Sequence, residues 1–181
     1  MSTRDLARIA LFAAITAALG LLPPIVVPGL PVPITAQTLG VMLAGLIIGP
    51  RLGGLSQFAF IVLVAAGLPL LAGGRGGLGV FLGPTGGFAL GFPLGAFVIG
   101  IVAGAGRASQ SWLRLGSAAV LGGIVAIYAI GIPWLAIVGG LSLGQAMVGS
   151  LAFLPGDLIK AVIATSVART VRRSYPEPVR S

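Results

Sequence analysis

Apolar residues run along the chain in long blocks, and clusters of proline and glycine separate them. A helix needs about 20 predominantly apolar residues to cross a bilayer, within a range of about 17–25. Six such spans are predicted, at about 6–22, 36–48, 52–67, 86–105, 113–132 and 155–172, the second short on its own. Backbone chemistry sets the breaks. The stretch LLPPIVVPGLPVP holds five prolines and cannot form a regular helix. GLPLLAGGRGGLGVFLGPTGG is glycine-rich and predicts a loop with unusual backbone angles. Gly49, Pro50 and Arg51 predict a tight turn. Near the C-terminus, one helix from Ser142 to Arg172 would be too long for a single crossing. Pro155 argues for a break, because proline disfavours α geometry at the preceding residue and starts helices well. Leu143–Phe153 is therefore predicted as a short separate helix at the outer interface. The last span then begins at Pro155, with Asp157 in its first turn.

Composition agrees with this pattern. The chain is 57% hydrophobic and 8% charged, against about 25% charged in soluble domains. It reads as an all-α, polytopic membrane protein, a single domain over residues 1–181 with six transmembrane helices. Basic residues exceed acidic ones by eleven to three. Nucleic-acid binding would need them clustered on a soluble face, whereas here they lie between apolar segments. With both termini cytoplasmic, the inside segments hold Arg4, Arg8, Arg51, Arg107, Arg114, Arg169, Arg172, Arg173 and Arg180. The outside segments hold only Arg75, and Lys160 lies within a span. That asymmetry follows the positive-inside rule, and an even number of spans returns the C-terminus to the cytoplasm. A secretory leader, with Arg4 and Arg8 as its basic region, is the alternative for the first segment. Its apolar stretch is long for a leader, and a proline-rich loop followed by further spans is unlike a secreted chain.

Cysteine and histidine are absent. This removes disulfides, thiol nucleophiles and the commonest transition-metal ligands. Three carboxylates in all argue against a paired-carboxylate active site, and there is no GxSxG motif. The chemistry on offer is binding rather than bond-breaking: no enzyme, no metal and no cofactor are expected. The outer connections Pro23–Thr35, Leu68–Thr85 and Pro133–Leu154 are long, apolar and nearly uncharged. They are predicted to fold back over the bundle and line a cavity, with passive packing as the alternative. Asp157 and Lys160 lie at i and i+3, on one helix face. Ionisable residues within spans usually face the bundle interior and mark a functional path, and a helix N-terminus favours Asp157 as an anion. Either the two close on each other as a structural ion pair, or they form a binding site. In the second case the carboxylate accepts from ligand N–H groups and the ammonium donates to a ligand carbonyl. Gly83, Gly87, Gly91 and Gly95 recur every four residues and predict close helix approach. Ala10, Ala14 and Ala18, beside Ala13 and Ala17, make a second stripe, available to another span or to a partner protein.

Three stretches, VPITAQTLGVMLAGLIIG, GLPLLAGGRGGLGVFLGPTGGFALGF and FLPGDLIK, resemble the BioY family over about residues 7–173. That family comprises the biotin-specific substrate-binding (S) subunits of energy-coupling-factor (ECF) transporters. The GPTGG and FLPGD–K motifs are the specific part. The resemblance implies biotin uptake across the inner (plasma) membrane of a prokaryote. It implies that Asp157 accepts from the ureido N–H groups and that Lys160 donates to the ureido carbonyl. The loop Leu71–Phe88, with Gly83, Pro84, Thr85 and Phe88, would close over biotin from outside. Tyr128 and Trp134 would suit the thiophane ring and valeryl chain, or anchor at the membrane interface. Arg75, with an anion nest at Gly73 and Gly74, is a candidate for the carboxylate, a solvated loop charge being the alternative. Thr35 and Gln37 would complete the site; Ser56 and Gln57 lie nearer the inside end. No GxxxxGK[ST] loop is present, so energy comes from elsewhere. The resemblance implies a transmembrane coupling subunit, docked on Ala10, Ala14 and Ala18, and two cytoplasmic ATPases. Membrane lipid surrounds the chain, and assembly into a homo-oligomer stays open. The competing readings are an S subunit for a different vitamin and a membrane scaffold without a ligand.

Overall fold

A computed structural model describes residues 1–26, 28, 29, 31–104 and 111–174. Arg107, Arg180 and the expected end of the fourth span at residue 105 lie outside them. Helix α1 (Thr3–Leu19) opens on a capping box. Ser2 Oγ accepts from the Asp5 N–H at 3.2 Å, and the Asp5 carboxylate accepts from the Ser2 N–H at 2.8 Å.

Helix α2 (Gln37–Ala65) is a hairpin rather than a rod. Gly49 has φ 80° and ψ −177°, a conformation that glycine reaches without a Cβ penalty, and Pro50 follows it. In a straight helix residues 45 and 53 would stand about 12 Å apart. A Cβ at Gly53 would instead lie 3.1 Å from Gly45 Cα. The chain therefore doubles back at residues 49–51, and two arms of α2 run side by side.

After a single-turn helix α3 (Gly79–Leu82) comes α4 (Gly86–Ala103), which packs on both arms. Around α3 the backbone is as unusual as its glycines predict, with positive φ at Gly67, Gly73, Gly74 and Gly77. Helix α5 (Trp112–Val120) passes through a π-helical stretch at Leu121–Ala126 into α6 (Ile127–Gly139), making 28 continuous helical residues. Pro133 was expected to open the third outer connection, but the helix runs through it to Gly139. Membrane helices tolerate an internal proline where neighbouring groups compensate the freed backbone. The stop comes instead at Gly140, which is left-handed with φ 64°.

Helix α7 (Leu143–Ser150) starts from a Ser142–Gln145 capping box and leads through a 3₁₀ turn at Leu151–Phe153 into α8 (Leu154–Ser174). A short helix before the last span was expected, but Leu154 does not leave α geometry, having φ −58° and ψ −45°. The break is the 3₁₀ turn itself. Proline's effect on its predecessor is a steric preference, and here Leu154 keeps α geometry while the 3₁₀ turn ends on the buried Phe153.

Among the described residues there is no strand, only isolated bridges pairing Ile25 with Ile34 and Leu71 with Arg75. Four helical segments are long and apolar enough to cross a membrane: Gln37–Ala65, Gly86–Ala103, Trp112–Gly139 and Leu143–Ser174. Phe60, Met42, Leu46, Ile99 and Leu115 are fully buried in the main core. A second cluster of Val32, Leu135, Ala146 and Phe153 pins the first outer loop onto α6 and α7. Phe58, Phe97, Val125 and Ile159 are exposed on the helices, which suits lipid contact.

The glycine stripe of α4 faces the α5–α6 rod. A Cβ at Gly87 would lie 2.2 Å from Trp134 Cβ, and one at Gly95 2.9 Å from Gly122 O. Trp134 cannot yield there, because the clash meets the root of its side chain. Gly87→Leu is therefore expected to cost about 1–3 kcal/mol. The apparent Tm in detergent should fall, by about 2–4 °C per kcal/mol at this length. Gly79→Ala, with nothing within 4 Å of the added carbon, should leave the Tm unchanged.

Candidate functional site

Two helix N-termini meet beneath the outer loops. The first turn of α8 carries Asp157, only 3% exposed. The first turn of α2 carries Thr38. Lys160 follows Asp157 by one turn, so its ammonium folds back beside the carboxylate at 2.8 Å. Thr38 Oγ1 donates to Asp157 Oδ1 at 2.9 Å, and Tyr128 Oη on α6 donates to Oδ2 at 2.7 Å. Lys160 Nζ donates to Thr35 O, to Thr38 Oγ1 at 3.0 Å and to Asp157 Oδ1. An ammonium has three donors, and all three are engaged. A carboxylate has about four acceptor positions; three are filled.

This cluster lines a cavity with about 620 Å³ of empty space, the open solvent at its mouth included. Its apolar wall is aromatic. Phe88, Tyr128 and Phe153 stand mutually edge-to-face, with centroids 5.8–6.4 Å apart. Phe88 reaches this position because Gly131 has no side chain; a Cβ there would lie 2.3 Å from its ring.

Of the residues expected from sequence, Asp157, Lys160, Thr35, Gln37, Arg75, Thr85, Phe88 and Tyr128 all line the cavity. Gly74, Gly83 and Pro84 border a separate outer depression, which Arg75 and Thr85 also line. Gly73 borders neither lining and sits at the loop tip with φ 79°. Trp134 is outside the cavity lining: its indole Nε1 donates to Gly83 O at 3.0 Å and so ties the GPTGG loop to α6. Arg75 is exposed; its Nε donates to Ala72 O at 3.2 Å and its Nη1 to Thr85 Oγ1 at 3.4 Å. Thr38 escaped the sequence reading, although its spacing of three from Thr35 in an apolar run was a usable signal. Phe153 escaped it too, because nothing local separates a cavity wall from core.

Gln37 is engaged on three sides. Its Nε2 donates to Thr16 O at 3.2 Å and to Leu70 O at 3.0 Å, and its Oε1 accepts from the Ala72 N–H at 3.0 Å. It thereby staples α1 and the second outer loop to α2. On α1, Ala10, Ala14 and Ala18 are exposed, while Ala13 is buried. The alanine stripe is thus turned away from the other described helices.

A helical membrane bundle with a cavity under folded outer loops is the architecture of a membrane-embedded binding protein. The fold matches the crystal structure of the S-component for biotin from an ECF-type ABC transporter, with a TM-score of 0.90 and 33% identity. The match covers 97% of this chain and 96% of that one. The family model described as "BioY family" matches residues 1–177, and the chain belongs to the BioY family. Similar curated proteins are the biotin transporter BioY of Rhizobium etli, 52% identical over 97% of each chain, and that of Rhodobacter capsulatus. The latter is 46% identical and covers 96% of this chain and 95% of its own. The family is one of transporter components, not of enzymes.

Removal of the Gln37 amide should loosen the loop it holds. Gln37→Met is expected to lower the apparent Tm by the cost of at least one unpaired buried group, about 1–3 kcal/mol. An unchanged melting curve would remove the staple from the account.

Proposed function

We propose that this chain is the biotin-binding S component of an ECF-type transporter, taking biotin from the outer face and mediating its uptake. The observation that carries this reading is the Asp157–Lys160–Thr38–Tyr128 cluster, with Asp157 buried and the other three half-buried, beside an aromatic cavity wall. Biotin's ureido ring offers two N–H donors and one carbonyl acceptor. Because Lys160 Nζ uses its three donors on Thr35 O, Thr38 Oγ1 and Asp157 Oδ1, the head enters by exchange. Asp157 gives up hydroxyl partners for ureido N–H groups, and Lys160 leaves Thr35 O for the ureido carbonyl. Phe88, Tyr128 and Phe153 take the thiophane ring. The valeryl carboxylate goes to Arg75, at the cavity's edge.

Six crossings follow if each arm of α2 crosses separately and α1, with 17 residues, crosses too. The basic residues then put both termini in the cytoplasm. The membrane is the plasma membrane of a prokaryote, as the bacterial sources of the relatives suggest. Energy comes from a membrane coupling subunit and two ATPases. The exposed stripe Ala10, Ala14 and Ala18 docks the coupling subunit, since small residues let helices approach closely. Lipid covers the remaining apolar surface.

Asp157→Asn removes a charge-assisted acceptor, an interaction worth about 1.5–3 kcal/mol. Calorimetry in detergent should show biotin binding weakened roughly 10- to 150-fold, with folding verified by thermal unfolding. Equal affinity in the two proteins would sink the ureido assignment. Ala14→Leu should keep biotin affinity while abolishing co-purification with the coupling subunit and uptake by cells. Normal uptake would remove the stripe's role.

A further inference from the structure

A second depression adjoins the cavity on the loop face, with about 790 Å³ of open space. Its wall is rich in glycine, with Gly74, Gly76, Gly79 and Gly83 beside Pro31, Val80 and Pro84. Arg75 and Thr85 line both spaces. Arg75 and Thr85 thus stand where the two spaces adjoin. Arg75 Nη1 and Thr85 Oγ1 meet at 3.4 Å, a long, exposed contact at the weak end of hydrogen-bond geometry. No carboxylate lines the depression, and Arg75 is the one charged residue in its lining. Gly79 leaves open space where a Cβ would stand.

We propose that this depression is an exit groove for whatever is joined to the valeryl carboxyl. The protein then accepts biotin amides, such as a biotinyl group on an amino-acid side-chain amine, as well as free biotin. The inference rests on the biotin reading above, with the ureido head on Asp157 and the carboxyl end at Arg75. An amide keeps a carbonyl acceptor for the Arg75 guanidinium and loses only the carboxylate charge. A charge-assisted hydrogen bond is roughly twice as strong as a neutral one, so the expected loss is tenfold or less. The attached group passes Arg75 and Thr85 and lies along the glycine-rich wall. A cavity closed at Arg75 would reject such conjugates outright, because their bulk would have no place to go.

The test compares biotin with the ε-amide of biotin and lysine, and with longer biotinyl-lysine peptides, by calorimetry on the purified full chain. Wild-type affinity for every amide should stay within about tenfold of that for biotin. Gly79→Trp, which fills the groove outside the cavity lining, should weaken the amides at least tenfold while changing biotin affinity less than twofold. If wild type binds biotin and loses more than tenfold on the amides, the groove is refuted and the biotin site stands. If it does not bind biotin at all, both readings fall. If Gly79→Trp misfolds, the wild-type series by itself decides, since a steep fall with conjugate size overturns the groove and a flat series supports it.

Discussion

A carboxylate and an ammonium are buried together on the first two turns of α8, and the arrangement around them follows from that fact. A single charge in such a place costs several kcal/mol, and even a pair survives only when its remaining hydrogen-bonding capacity is met. Thr38, Tyr128 and the Thr35 carbonyl meet it. To supply them, the start of α2, the start of α6 and the end of the first outer loop must converge on one point. Close convergence needs surfaces without side chains, which Gly53 provides between the arms of α2 and Gly131 under Phe88. The cavity is the space left where these elements meet.

In the proposed binding, a ligand exchanges with the partners that Asp157 and Lys160 already hold rather than adding to them. Such a site discriminates strongly. A guest that breaks these hydrogen bonds without replacing them leaves a buried charge unpaired, a cost of about 3–5 kcal/mol when one partner is lost. A guest with two donors beside an acceptor restores them. The apolar loops fit this role as well. Val32 packs with Leu135 and Phe153, and Gln37 ties the second loop to α1 and α2. They act as a roof held by buried contacts, with Arg75 as the one charge in these two loops. The alanine face of α1 remains outside this system, which leaves it available for a partner without disturbing the site.

Much of the helical architecture was legible because its causes are local. The apolar runs, the Gly49–Pro50 turn and the left-handed glycines of the second outer loop each depend on a few neighbouring residues. The misreadings were local rules overruled from a distance. Pro133 does not stop its helix, and Leu154 keeps α geometry ahead of Pro155. Trp134 was placed with the ligand wall or the membrane interface; its indole instead donates to Gly83 and packs against Gly87.

The amino-acid order by itself determined that this is a membrane bundle, that it binds rather than catalyses, and that one carboxylate and one ammonium share a helix face. It carried the family motifs, which lie in contiguous stretches. Only the tertiary structure decided who satisfies those charges. Thr38 and Asp157 are 119 residues apart along the chain, and Lys160 and Thr35 are 125 apart. Periodicity and propensity reach about one helical turn. Pairing across such separations exists only after the helices have packed, and therefore so does the cavity.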